Sequence, residues 1–209
     1  MTTPADKSPQ ALSGPEAFPQ YQRFEALVFD LDGTLADTMP AHFASWSAIA
    51  GKYGLHFPED QFYAWGGRPS SAIVQDLATA QGVTLDHAAI AKEKELHYLE
   101  HGAPATQPIE PVLAIAQAFR GVKPMAIGTG GRNNQAYAIL QALDIEGWFD
   151  AIVTADDVAS HKPDPETFLE GARRLGADPA RCAVFEDTDL GLQAGHAAGM
   201  HVVDIRELL

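Results

Sequence analysis

Cysteine is nearly missing from this chain: Cys182 is the only one in 209 residues, so no intrachain disulfide can form. A reducing compartment suits such a chain, and a cytoplasmic location is the expectation. Basic residues are also scarce, 14 Lys and Arg against 28 Asp and Glu, for a net charge of −14. That balance gives no sign of the basic patch that a nucleic-acid partner would call for, and no such partner is expected. It also means that any anionic ligand must be held by a few local cations and by backbone N–H groups. No apolar run approaches the ~20 residues of a membrane span, so no membrane partner is expected. The opening residues lack a basic stretch followed by an apolar one, and Pro4, Pro9, Pro15 and Pro19 stand among polar residues. Residues 1–22 therefore read as a polar leader that packs little, or on the surface, and not as a signal peptide. No internal repeat is visible.

With 46% hydrophobic residues, the chain can build one substantial core, or one core and a small insert. Its most informative stretch is Phe29-Asp30-Leu31-Asp32-Gly33-Thr34-Leu35-Ala36-Asp37-Thr38, which follows the apolar run Ala26-Leu27-Val28. A buried strand is expected to end at Asp30, so that two carboxylates leave its carboxyl end close together. Gly33 permits a tight turn, and Thr34 and Thr38 supply hydroxyls. Carboxylates crowded at such an edge repel one another unless a cation lies between them. Asp and Gly are also ordinary turn residues, and a plain acidic strand-to-helix turn uses the same types.

Four helices without an intervening strand are expected next: one from Pro40 to Tyr53, one after Pro58, one after Pro69, and one from Asp86 to Glu100. Pro104 and Pro108 mark the exit from this segment. Beyond it, helix and strand alternate, with strands at Pro124–Ile127, Ala151–Thr154, Ala183–Phe185 and His201–Val203. That rhythm predicts an α/β fold with a mostly parallel sheet covered on both faces. The domain reading is a sheet core over residues 23–38 and 105–209, with a helical insert over residues 39–104.

Further chemistry collects at the expected strand ends. Thr129, followed by Gly130 and Gly131 and then a helix, suits an anion held by N–H groups. Lys162 stands in His161-Lys162-Pro163-Asp164-Pro165, a loop pinned by two prolines before a helix. Glu186 and Asp187 end a strand and precede Thr188-Asp189-Leu190-Gly191. Taken singly, a Thr-Gly turn, a solvated loop lysine and an acidic helix cap are the simpler explanations. Together they place acid, base and hydroxyl groups at one sheet edge.

Taken in order, these four stretches resemble the motifs of the haloacid dehalogenase superfamily over about Phe24 to Asp204. Asp-Leu-Asp-Gly-Thr-Leu-Ala-Asp is similar to the signature of its phosphatases, and the position of the insert is similar to that of the beta-phosphoglucomutase-like subfamily. The resemblance implies a Rossmann-like core with a four-helix cap, and Asp30 as a nucleophile that forms an aspartyl-phosphate. It implies Asp32 as general acid and base, Thr129 and Gly130 as phosphate contacts, and Lys162 as the neutralising cation. Mg²⁺ would be held by Asp30, the backbone carbonyl of Asp32, Asp187 and Glu186, the last as a ligand or through a partner. His42 would touch the acid/base residue, and Arg68 and Arg132 would meet substrate, although Arg68 is displaced from the subfamily's usual arginine position. The implied activity is hydrolysis of a small phosphorylated metabolite, a sugar phosphate foremost, by a monomer or small homo-oligomer. A beta-phosphoglucomutase and a non-catalytic metabolite binder are the alternatives.

Overall fold

The computed structural model describes residues 14–66 and 68–209. In chain order the elements are β1 (Ala26–Phe29), β2 (Ala36–Asp37), α1 (Met39–Lys52), α2 (Glu59–Ala64), α3 (Ser70–Ala80) and α4 (His87–His101). There follow β3 (Gln107–Pro108), α5 (Glu110–Phe119), β4 (Met125–Gly128), α6 (Asn133–Ala142) and β5 (Ala151–Val153). The last are α7 (Glu166–Leu175), β6 (Cys182–Glu186), α8 (Asp189–Ala197) and β7 (His201–Asp204).

Five strands form one parallel sheet in the order β5-β4-β1-β6-β7, with Phe29 in register with Ile127 on one side and Phe185 on the other. Side chains alternate along β1, so each face feeds a different core. Leu27 and Phe29 join Val112, Ile115 and Ile139 beneath α5 and α6. Ala26 and Val28 join Phe168, Ala172 and Ala194 beneath α7 and α8. Phe29 stacks on Phe185 with centroids 4.6 Å apart and planes at 8°. Burial of each ring contributes roughly 1.5–3 kcal/mol.

The chain runs from β1 outward to β4 and β5, then returns across β1 to β6 and β7. The carboxyl ends of β4, β1 and β6 therefore flank the point where strand order reverses, the usual ligand position in such sheets.

Helices α1 to α4 form the inserted cap and bury their own apolar cluster, which includes Trp46, Phe57, Phe62, Leu77 and Ile90. Asp86 caps α4 by accepting the Ala89 N–H at 3.0 Å. No described helix is long and apolar enough to cross a membrane.

Two sequence expectations need correction. The exit that Pro104 and Pro108 mark contains a strand that was not expected: Gln107–Pro108 pairs antiparallel with Ala36–Asp37, so entry and exit are tied together. A two-residue pairing is too short for alternation to reveal. Nor does the leader remain unpacked throughout. Tyr21 is only 5% exposed and sets its ring edge on Phe185 at 5.0 Å. Pro15 and Pro19 each start a 3₁₀ turn, and Phe18 and Tyr21 turn onto the core. Residues 1–13 of the expected leader lie outside the described residues.

Candidate active site

Asp30 emerges at the carboxyl end of β1, 4% exposed, with its N–H donated to the Phe185 carbonyl. The Lys162 ammonium donates to Asp30 Oδ1 at 2.6 Å and to Glu186 Oε1 at 2.8 Å, and lies 4.6 Å from the Phe168 ring centroid. Burial alone would lower the pKa of this lysine, but the two carboxylates more than offset it and hold the ammonium charged. Glu186 Oε2 accepts both the N–H and the hydroxyl of Thr188, and that hydroxyl also caps α8 by accepting the Gly191 N–H. Asp187 Oδ1 accepts the Thr34 hydroxyl at 2.9 Å. Gly33 sits beside it with φ 83°, where an added Cβ would lie 2.4 Å from Asp187 Oδ2. A side chain at this turn would be both strained and blocked.

Oxygens of Asp30, Glu186 and Asp187 all lie within 4.8 Å of one another. Burial pushes Asp30 well above the usual carboxylate range; Lys162 pulls it back, and Glu186 and Asp187 push it up again. Asp187 is raised to about 7 by burial and by Glu186, against the pull of Thr34 and Lys162. Three carboxylates face a single lysine. The donor set is entirely oxygen, and its charge favours a hard divalent cation.

Asp32 turns the other way. Its Oδ1 accepts the Thr38 hydroxyl at 2.8 Å and lies 3.2 Å from His42 Nε2, and its Oδ2 accepts the Thr129 hydroxyl at 3.3 Å. Burial would raise its pKa, but His42, Thr38 and the charge of Lys94 outweigh burial and keep it ionised. His42 Nδ1 lies 2.7 Å from Lys94 Nζ. Burial and then the Lys94 charge lower the His42 pKa, so the imidazole is neutral, accepts a hydrogen bond from the Lys94 ammonium at Nδ1 and donates from Nε2 to Asp32.

Above these groups lies a cavity of about 670 Å³, with Asp30, Asp32, Thr129 and Lys162 on the sheet side and Trp65, Arg68, Lys92 and Glu95 on the cap side. The size suits a small metabolite. Thr129 is buried, and its Oγ1 accepts the Gly131 N–H at 2.9 Å. Gly130 and Arg132 border the same cavity, and Arg132 is paired with Asp156 at 3.2 Å. Arg68 also faces the cavity, but its guanidinium bonds Asp76 and lies over Trp65 at 4.6 Å. Its neighbour Gly67 lies outside the described residues.

The structure thus brings Asp30, Asp32, Thr129, Lys162, Glu186 and His42 to one cavity wall, with Asp187 just behind. Lys94 was missed by the sequence reading. Its signal was a lysine on the same helical face as Ile90, Ala91 and Tyr98, all of them buried. The capping of Glu186 by Thr188 was missed as well, for lack of any pattern beyond a common helix start.

Residues 24–199 match a family model described as "Hydrolase: haloacid dehalogenase-like hydrolase". Over 188 residues the chain is 40% identical to "Fructose-1-phosphate phosphatase YqaB" of Escherichia coli K12, covering 90% of this chain and all of that protein. It is 29% identical to "Beta-phosphoglucomutase" of Bacillus subtilis, over 87% of this chain and 83% of that one. A solved structure of beta-phosphoglucomutase from Clostridium difficile superposes with a TM-score of 0.75 at 24% identity, over 88% of this chain and 87% of that one, a likeness of fold. The chain belongs to the haloacid dehalogenase-like hydrolase family.

Proposed function

We propose that the protein is a Mg²⁺-dependent phosphatase that hydrolyses a small sugar phosphate through an aspartyl-phosphate on Asp30. The observation that carries this reading is Asp30 at the end of β1, 2.6 Å from Lys162, facing a cavity that Asp32 also lines. A carboxylate beside a lysine and a second carboxylate can both attack a phosphoryl group and manage its proton. The sugar-phosphate preference draws on the 40% identity to a fructose-1-phosphate phosphatase.

Asp30, Asp187, the Asp32 carbonyl and Glu186 would hold Mg²⁺, and the crowded oxygens within 4.8 Å suit it. When bound, the ion offsets the negative charge of the carboxylates and of the phosphoryl oxygens. Lys162 and Thr129, with the N–H of Gly130, orient the substrate phosphate. An Asp30 oxygen attacks phosphorus, and the bond to the sugar oxygen breaks. Asp32 gives that oxygen a proton, then accepts one from the water that cleaves the aspartyl-phosphate. At rest Asp32 is ionised. The arriving phosphate dianion raises its pKa and allows it to take up the proton it must donate.

Arg68, paired with Asp76, has its charge already answered and is a poor grip for the second phosphate of a mutase intermediate. The test is phosphate release from a panel of sugar monophosphates, alongside conversion of beta-glucose 1-phosphate to glucose 6-phosphate. Release that needs Mg²⁺, stops with EDTA and returns on adding Mg²⁺ is expected, with Ca²⁺ a poor substitute. Full activity without metal, or isomerisation without release, contradicts the reading.

A further inference from the structure

We propose that Tyr98 is a positioning residue for the acid–base apparatus, clamping the His42 ring so that Nε2 stays aimed at Asp32. The inference rests on the acid–base role proposed for Asp32. His42 is held at both ring nitrogens, 3.2 Å from Asp32 Oδ1 and 2.7 Å from Lys94 Nζ. Two such contacts aim the ring nitrogens, but hydrogen bonds at 2.7 and 3.2 Å still tolerate a rocking roll of the ring about its Cβ–Cγ bond. Tyr98 removes that freedom: its ring lies 3.8 Å from the imidazole centroid with the planes at 13°. Near-parallel rings at this separation are in van der Waals contact, so a roll of His42 drives it into the phenol. Lys94 and Tyr98 stand four residues apart on α4, one turn, and reach His42 from the same helical face.

Tyr98 is itself immobilised. It is fully buried, and a Cβ at Gly102 would fall 2.6 Å from its Cδ2. Its hydroxyl is buried without a hydrogen-bond partner among the described residues, as is that of Thr106. The ring, not the hydroxyl, does the positioning. Thr106 directly precedes β3, which pairs with β2.

The experiment compares Tyr98→Phe, Tyr98→Leu and Gly102→Ala with the wild type, with Asp32→Asn as reference. Two quantities are read: steady-state kinetics on a sugar phosphate, and the single-turnover burst of p-nitrophenolate from p-nitrophenyl phosphate, whose leaving group needs no proton. Tyr98→Phe should stay within about threefold of wild type on both. Tyr98→Leu should lose about 10–100-fold in kcat on the sugar phosphate, with KM little changed and the burst rate far less affected. Gly102→Ala, which displaces the ring without removing it, should show the same selectivity and carries the test if Tyr98→Leu folds poorly. Equal losses on the two substrates, or Tyr98→Phe as impaired as Tyr98→Leu, overturn the proposal. If Asp32→Asn is selective and neither Tyr98→Leu nor Gly102→Ala is, positioning alone fails. If Asp32→Asn is itself unselective, the acid role fails and takes this proposal with it.

Discussion

At Asp32, burial and hydrogen bonding act in opposite directions, and hydrogen bonding wins: Thr38, Thr129 and His42 all surround a carboxylate that burial alone would protonate. A resting carboxylate that must become an acid should matter most when the leaving group is most basic. Asp32→Asn should therefore lose on the order of 10²–10⁴ on a sugar phosphate and much less in the p-nitrophenolate burst. Lys94 poses a different problem, a buried ammonium whose pKa falls from 10.5 to about 8 through burial, with Asp32 and Glu95 resisting. Below pH 8 it is protonated folded and unfolded alike, and the cost of its burial, about 3 kcal/mol for a drop from 10.5 to about 8, is fully present. Between pH 8 and 10.5 the unfolded chain binds the extra proton, so stability rises with pH. Lys94→Met lacks this term. Denaturation at pH 7.5 and pH 10 should show the wild type gaining roughly 2–3 kcal/mol relative to the variant. Parallel pH dependence of the two proteins would contradict the buried charge.

Among the elements, α8 shows how close packing overrides helix propensity. Gly191 and Gly195 lie inside a helix, where alanine is favoured by about 1 kcal/mol. Yet a Cβ on Gly195 would lie 2.6 Å from Val184 Cγ1 and 2.9 Å from Val202 Cγ2, and one on Gly191 would lie 1.9 Å from Glu186 Oε1. Gly195→Ala should lower stability by about 1–3 kcal/mol and spare kcat in the folded fraction. Gly191→Ala should push Glu186 off Lys162 and lower kcat several-fold with a smaller change in melting temperature. The reverse pattern would show that the two glycines play other parts. Sequence periodicity located α8 and every strand of the parallel sheet, because each is a short apolar run bounded by turn residues. It did not locate β2 and β3, whose pairing spans two residues each. It also passed over Lys94, because α4 is so rich in Lys, Glu and His that its buried face hardly stands out.

Across the whole molecule, charge is distributed against its average. The chain carries 14 basic residues at a net charge of −14, yet Arg68, Lys92, Lys94, Arg132 and Lys162 all line one cavity. In a protein that otherwise repels anions, such a cluster favours an anionic ligand, with Arg68 and Arg132 already paired to Asp76 and Asp156. The sheet edge was legible because turn chemistry follows each strand, with Asp30, Thr129 and Glu186 at the ends of adjacent strands and Lys162 in the proline-pinned loop before α7. On the cap side only Arg68 was legible; Trp65, Lys92 and Glu95 meet the cavity through tertiary packing that no local spacing encodes. The central claim is that phosphate passes through Asp30, and trapping the intermediate tests it most directly. Enzyme mixed with a sugar phosphate radiolabelled in its phosphoryl group is quenched in acid within one turnover and digested. The label should be hydroxylamine-labile, should map to the peptide carrying Asp30, and should vanish in Asp30→Asn. Phosphate released in that turnover from a protein that never carries label, or label on any other residue, would contradict the account.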